Sequence, residues 1–148
     1  MSTLRFRWWM LATLVVVLVA GVSNRALAAP PPAVKQIMVP GEDRFTPFAV
    51  TVHVGQKVMW VNNDSDSHRV VSIDAFNTAG HKGVNQLVVA GDTYTLKFMH
   101  PGVFPFYCSF HATLDGSNQP KAPGPFGGIM DPNGNFGTPM SGVVTVIP

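Results

Sequence analysis

The chain contains a single cysteine, Cys108, among its 148 residues. One thiol excludes an internal disulfide, although small exported domains often use disulfides for stability. It also excludes the paired Cys-x-x-Cys knuckles that are typical of structural zinc sites. The thiol must therefore be a buried apolar side chain, a reactive nucleophile, a partner for another chain, or a metal ligand.

Charged residues are also scarce, at 12% of the chain, and the formal net charge is +2. Three of the ten basic residues lie in the first 28 positions, which contain no acidic residue. Residues 29–148 therefore carry seven basic and eight acidic side chains. No basic tract remains in this part, so we expect no binding to nucleic acid or to an anionic membrane surface.

The first 28 residues have the pattern of an export signal. Arg5 and Arg7 precede a continuous apolar run from Trp8 to Val22, and Ala26-Leu27-Ala28 is a small-residue cleavage site. The run is shorter than the roughly 20 residues that span a bilayer, so we favour cleavage before Ala29 over a membrane anchor. We predict an exported protein without a membrane span, periplasmic in a bacterium, with extracellular or lumenal locations as alternatives.

Residues 29–148 have room for one domain, and their apolar positions alternate with period two. Val50, Val52 and Val54 share one face of Phe48–Val54, and Val58 and Trp60 share one face of Lys57–Asn62. Further short strands are predicted at Val34–Val39, Arg69–Ile73, Gln86–Val89, Thr93–Phe98, Val103–Cys108 and Gly142–Ile147. Sustained helical periodicity is absent from the sequence, apart from a weak pattern at Asp74–Thr78. Short strands separated by turns predict an all-β, antiparallel β-sandwich.

One segment interrupts this alternation of strands and turns. Gly116 to Pro139 is rich in Gly, Pro and Asn and contains almost no β-branched residues. Long loops of this kind are usually functional or mobile. We therefore expect an inserted loop at about residues 112–139 within the single domain.

Four side chains with metal-binding chemistry lie at the ends of predicted strands. Cys108 ends one strand, His111 follows it with C-x₂-H spacing, and His68 begins an earlier strand. Met140 directly precedes the last strand. Two imidazoles, one thiolate and a weak thioether form a donor set that suits copper in electron transfer, because soft sulfur favours Cu(I) and imidazole also holds Cu(II).

Other chemistries stay open on these residues alone. A lone cysteine in a β-protein is most often a small buried hydrophobe. A Cys–His nucleophile would be accompanied by an oxyanion hole and a third group, and the sequence shows neither. Zinc remains chemically compatible, although the usual ligand spacing is missing. The remaining histidines, His53, His81 and His100, have the pattern of surface residues.

Several motifs follow one another in order through most of residues 29–148. They are F-x-P at Phe45–Pro47, V-x-V-x-x-G-x-x-V-x-W from Val50 to Trp60, N-N-D-S-D-S-H ending at His68, A-G-D-T-Y-T-L-K-F from Ala90 to Phe98, P-G-V-F-P-F-Y-C-S-F-H from Pro101 to His111, and M-S-G-V-V-T-V from Met140 to Val146. Each is weak alone, but together they resemble the cupredoxins, the plastocyanin and azurin group of small blue copper proteins. The resemblance implies an eight-stranded Greek-key β-sandwich and one type 1 copper ion, with His68, Cys108, His111 and Met140 as ligands.

The residue after the first ligand histidine departs from the family pattern. Many cupredoxins have Asn at this position, where its side chain ties the two ligand loops together, whereas this chain has Arg69. We therefore expect Asn62 or Asn63 to supply the hydrogen bond that tunes the cysteine sulfur.

The spacing before the methionine is the larger departure. Close relatives have only a few residues between the second histidine and the methionine, whereas Ala112 to Pro139 intervene here. A rival alignment places Leu114 in the axial position, with no thioether, and Met130 is a further candidate. We favour Met140 because the strand signature M-x-G-x-V-x-V is intact behind it.

The resemblance implies an electron carrier rather than an enzyme. His111 would be the exposed edge through which electrons pass, and Phe110, Pro125 and Phe126 are candidates for the surrounding docking surface. The expected partners are redox proteins such as a cytochrome or a copper oxidase, bound transiently by a monomer.

Two other functions are kept as alternatives. One is a copper-binding or copper-delivery module without a redox circuit. The other is a small copper enzyme resembling nitrosocyanin, which would need an oxygen ligand. Asp115 and Asp131 are candidates for that ligand.

Overall fold

The computed structural model describes residues 33–74, 83–130, 133–134 and 136–148. Every regular element in these ranges is a β-strand, and no helix there is long and apolar enough to cross a membrane. The strands are β1 (Lys35–Val39), β2 (Ala49–His53), β3 (Lys57–Asn62), β4 (His68–Ser72), β5 (Asn85–Val88), β6 (Thr93–Lys97), β7 (Gly102–Tyr107), β8 (Thr113–Leu114), β9 (Pro120–Lys121) and β10 (Ser141–Ile147). The predicted leader, residues 1–28, and most of the weak helical pattern lie outside the described residues.

All eight strands predicted from period-two alternation are present, and their ends differ from prediction by at most one residue. β8 and β9 are additional. They pair as a two-stranded hairpin at the start of the predicted inserted loop. Each has only two residues, which is too short for alternation to be recognised.

The eight longer strands form two sheets. One has the order β1-β3-β6, and the other has the order β2-β10-β7-β4-β5. The β-sandwich is thus confirmed, but the pairing is not purely antiparallel, since β1 runs parallel to β3 and β2 runs parallel to β10. Alternation shows which face of a strand is buried and carries no information about the direction of its neighbour.

The core lies between the two sheets and is built around three aromatic rings. Phe106 of β7 contacts Trp60 of β3 edge-on, with ring centroids 5.3 Å apart, and contacts Phe45 at 4.9 Å. Val50 and Val52 point into the core as predicted, whereas Val54 follows the end of β2 and is exposed. The Trp60–Phe106 contact therefore joins one sheet to the other.

The ends of three neighbouring strands in the larger sheet define the place where the candidate ligands meet. β4 begins at His68, β7 ends one residue before Cys108, and β10 begins one residue after Met140. Since β7 lies between β4 and β10 and is antiparallel to both, these three ends lie at the same edge of the sheet.

Replacing Gly142 with alanine should destabilise this packing. A Cβ at Gly142 would lie 2.6 Å from the Phe106 ring and 2.9 Å from the Phe48 carbonyl oxygen, so ring or backbone must shift. Overpacking of this kind costs about 1–3 kcal/mol. Urea unfolding of Gly142→Ala measures this loss of stability. Gly116→Ala is the matched control, because a Cβ there meets no atom within 4 Å. Equal stability of the two variants would contradict this account of the packing.

Candidate metal centre

Three of the four predicted ligands converge around the sulfur of Cys108. The Sγ atom lies 3.6 Å from Nδ1 of His111 and 3.9 Å from Nδ1 of His68. The three potential ligand atoms all lie within 4.8 Å of one another. Cys108 and His68 are almost fully buried, while the His111 side chain is 23% exposed.

The separations of these atoms fit a transition-metal ion. Sulfur and imidazole donors bind such ions at about 2.0–2.3 Å, so three donors arranged trigonally stand about 3.7 Å apart. The two sulfur–nitrogen separations match this spacing. In addition, the Nδ1 atoms of both rings face the sulfur, as a shared ion would require. Two imidazoles and a thiolate in trigonal array are typical of copper electron-transfer sites.

The backbone of Met140 is hydrogen-bonded to two residues of this cluster, and its side chain is fully buried. The Cys108 N–H donates to the Met140 carbonyl oxygen at 2.9 Å, and the Met140 N–H donates to the His111 carbonyl oxygen at 3.3 Å. The two rival residues are placed differently. Leu114 pairs with Pro120 in the β8–β9 hairpin, and Met130 is 54% exposed. These placements favour Met140 as the fourth ligand.

The hydrogen bond to the cysteine sulfur comes from Arg69, so the prediction that Asn62 or Asn63 supplies it is wrong. The backbone N–H of Arg69 lies 3.3 Å from Cys108 Sγ and donates to it. A backbone amide can serve here because β4 begins at the preceding histidine and runs alongside the end of β7. This donor was missed because it depends on strand position and not on side-chain type.

Asn62 instead holds the loop that precedes His68. Its side chain is fully buried and donates to the carbonyl oxygens of Asp66, at 2.7 Å, and Val88, at 3.0 Å. Its side-chain oxygen Oδ1 accepts a hydrogen bond from the Asp64 backbone N–H at 3.0 Å. One asparagine therefore connects the end of β3, the ligand loop and the end of β5.

The Arg69 side chain connects the two ligand loops. Its guanidinium lies over the Phe110 ring at 5.5 Å and donates to Asn85 Oδ1 at 2.7 Å. Phe110 belongs to the turn that carries His111. Stacking of a guanidinium on an aromatic face is favourable, so Arg69 links the two ligand loops although it is not an asparagine.

Two carboxylates that were not predicted as site residues contact the outer nitrogens of the histidines. Asp64 Oδ2 lies 3.1 Å from His68 Nε2, and Asp43 Oδ1 lies 3.4 Å from His111 Nε2. Asp64 could have been suspected, because it lies four positions before the histidine in the same turn. Asp43 could not, because it comes from a distant segment before β2.

The pKa values of His68 and Asp64 reflect this environment. Burial lowers the pKa of His68, but hydrogen bonds with Cys108 and Asp64 outweigh it and leave the pKa above its usual value. Burial raises the pKa of Asp64, but hydrogen bonds from His68 and from the Ser65 N–H hold it below its usual value. The imidazole and the carboxylate thus stabilise each other's charged form.

The remaining candidates lie apart from the cluster or outside the described residues. Asp115 accepts backbone hydrogen bonds from Ser117 and Gln119 in the β8–β9 turn, which lower its pKa. Asp131 and His81 lie outside the described residues. The other histidines, His53 and His100, are exposed, as predicted.

The sequence and the fold are both similar to those of known copper proteins. The sequence profile of the copper binding proteins of the plastocyanin/azurin family matches residues 34–117. Plastocyanin from Scenedesmus fuscus is 29% identical over 72 residues, which are 45% of this chain and 74% of that protein.

Solved structures give the corresponding comparison for the fold. A reduced amicyanin variant has a TM-score of 0.52 at 19% identity, and an oxidised variant has 0.53 at 18% identity. Each comparison covers 77% of this chain and 82% of the amicyanin. A purple cupredoxin from Nitrosopumilus maritimus has a TM-score of 0.49 at 26% identity, over 76% of this chain and 99% of its own. At these identities the amicyanin structures show a common fold.

Substituting Asn62 with alanine should loosen the ligand loop. Loss of its side chain removes three hydrogen bonds from a buried position, among them the bond to the Val88 carbonyl oxygen, which costs about 1–3 kcal/mol. We expect that loss in urea unfolding of the metal-free protein, with faster hydrogen exchange at the Asp64 amide. Asn63→Ala is the control, because its side chain is exposed and should change stability by less than about 0.5 kcal/mol. A larger loss at Asn63 would refute the assignment.

Proposed function

Because the chain belongs to the plastocyanin/azurin family of copper-binding proteins, we propose that it is an exported one-electron carrier. In this proposal His68, Cys108, His111 and Met140 hold one type 1 copper ion. One observation carries three of these ligands: two imidazole nitrogens and one buried sulfur lie within 4.8 Å of one another at the end of three neighbouring strands. The burial of Met140 and its backbone hydrogen bonds to Cys108 and His111 support the fourth.

The chain's own residues suit both oxidation states of such an ion. When bound, copper supplies a one-electron couple between Cu(I) and Cu(II). Cys108 and Met140 provide soft sulfur, and the histidines provide nitrogen. The Arg69 N–H stabilises negative charge on the Cys108 sulfur. Since the donors sit at the ends of paired strands, they should move little when the charge of the site changes.

The surface near His111 suits transient docking of a redox partner. His111 is the most exposed of the four ligands, and its neighbour Phe110 is 48% exposed. Pro125 and Phe126 of the inserted loop are exposed as well, the latter at 84%. A contiguous apolar patch is typical of interaction surfaces, and we propose that these side chains form one around His111. Small interfaces favour short-lived complexes. We infer a partner such as a cytochrome or a copper oxidase.

The placement of three carboxylates within the described residues favours a carrier over an enzyme. The Asp115 carboxylate is engaged in the β8–β9 turn, and Asp43 and Asp64 approach the nitrogens that face away from the sulfur. None of these three therefore offers oxygen on the sulfur side of the rings. Burial of Cys108, Met140 and His68 also disfavours a delivery module, which would need ligands accessible for metal transfer.

The copper proposal is tested by the visible spectrum of the exported protein with one equivalent of Cu(II). We expect an intense thiolate-to-copper band that ascorbate bleaches and that Cys108→Ser lacks, because the thiolate is its source. Intact mass of the same sample tests cleavage before Ala29. A stoichiometric but pale centre would favour an oxygen ligand, and absence of binding would overturn the copper site.

The fourth ligand is tested separately by Met140→Leu. We expect this variant to keep copper and its intense band, because the two histidines and the cysteine remain, while its reduction potential shifts upward with loss of the axial donor. Met130→Leu makes the same chemical change at an exposed methionine and should leave the potential unchanged. Equal potentials for the two variants would remove Met140 from the ligand set.

A further inference from the structure

The outer nitrogens of both candidate ligand histidines face carboxylates. In each ring, Nδ1 points toward Cys108 Sγ and Nε2 lies 3.1–3.4 Å from an aspartate oxygen. Each imidazole therefore spans the distance between sulfur and carboxylate. This arrangement occurs twice around one site and engages Asp64 and Asp43.

A carboxylate at Nε2 determines what Nδ1 can do. An aspartate accepts a hydrogen bond from Nε2–H, so the neutral ring is held in the tautomer whose Nδ1 lone pair is free. Carboxylates in this position orient metal-binding histidines and increase their basicity. Negative charge near the ligands also favours the more highly charged oxidation state of a bound ion.

Asp64 is itself held in place. Its backbone N–H donates a hydrogen bond to Asn62 Oδ1, and its own Oδ1 accepts one from the Ser65 N–H at 2.7 Å. The other carboxylate oxygen, Oδ2, is therefore available to His68. Its side chain is 10% exposed and that of His68 is 1% exposed. This contact is therefore largely excluded from solvent, and added salt should weaken it little.

Asp43 makes the weaker of the two contacts. Its side chain is 37% exposed and lies 3.4 Å from His111 Nε2. Oxygen atoms of Asp43 and Asp64 also lie within 4.8 Å of each other and of a His68 nitrogen. The two carboxylates thus add their charges at one side of the site, and that of Asp43 is open to screening by solvent.

We propose that Asp64 and Asp43 are positioning residues that hold the two imidazoles with Nδ1 toward the metal and favour Cu(II) over Cu(I). Asp64 acts on His68 as a buried contact, and Asp43 acts on His111 as an exposed one. The inference rests on the proposed function, because it takes both histidines as copper ligands.

The test compares Asp64→Asn and Asp43→Asn with the charge-matched controls Asp66→Asn and Glu42→Gln. Asp66 and Glu42 are exposed acidic neighbours, and the carboxylates found at the two rings within the described residues are those of Asp64 and Asp43 instead. For Asp64→Asn we expect a loss of Cu(II) affinity of about tenfold or more and a rise in reduction potential. For Asp43→Asn we expect a smaller rise that diminishes with added salt, whereas the rise for Asp64→Asn should persist. Both controls should stay close to the parent protein.

The readouts separate failure of this inference from failure of the copper site. An intense thiolate-to-copper band in all variants, with potentials and affinities equal to those of the controls, would overturn the positioning role and leave the copper site intact. Absence of that band in the parent protein would overturn both. Should Asp64→Asn fail to fold, the exposed Asp43→Asn variant decides, since an unchanged potential there at low salt contradicts the proposal.

Discussion

The buried sulfur of Cys108 is the point on which the rest of the site depends. A thiolate at the end of the central strand β7 is costly in an apolar interior unless hydrogen bonds or a cation compensate it. The Arg69 amide and the two histidine nitrogens all approach this one atom. The flanking strands β4 and β10 make that approach feasible, because their ends meet the end of β7 at one edge of the sheet.

Two histidine rings surround the sulfur, and two carboxylates lie beyond the rings. The imidazoles stand between the sulfur and the carboxylates of Asp64 and Asp43, so that each ring has the sulfur on one side and a carboxylate on the other. Asn62 holds Asp64, the less exposed of the two aspartates, by accepting a hydrogen bond from its backbone N–H. Arg69 adds a positive group that is held by the Phe110 ring and by Asn85. The ligand geometry is thus maintained by polar contacts between the loops that meet at this edge of the sheet.

The strands were predictable because most of them present alternating apolar residues to a core filled by Trp60, Phe106 and their neighbours. The copper family was recognisable because its motifs keep their order along the chain. The parallel pairs β1–β3 and β2–β10 were not predictable, since alternation does not depend on the direction of a neighbouring strand. The Arg69 amide and Asp43 were missed for a related reason. Both meet their partners only after distant segments pack, and no local spacing encodes such contacts.

The inserted loop between His111 and Met140 shows why spacing along the chain is a poor guide to this site. Both ends of the insertion are held by backbone bonds, Cys108 to Met140 and Met140 to His111, and these are independent of the length between them. The entropic cost of closing a loop grows only slowly with its length, so added residues disturb the anchors little. The insertion also has structure of its own. It begins with the β8–β9 hairpin capped by Asp115, and near its end Ile129 bonds to Thr138 and packs on the core. A methionine far along the sequence therefore reaches the end of β7 as directly as one a few residues away.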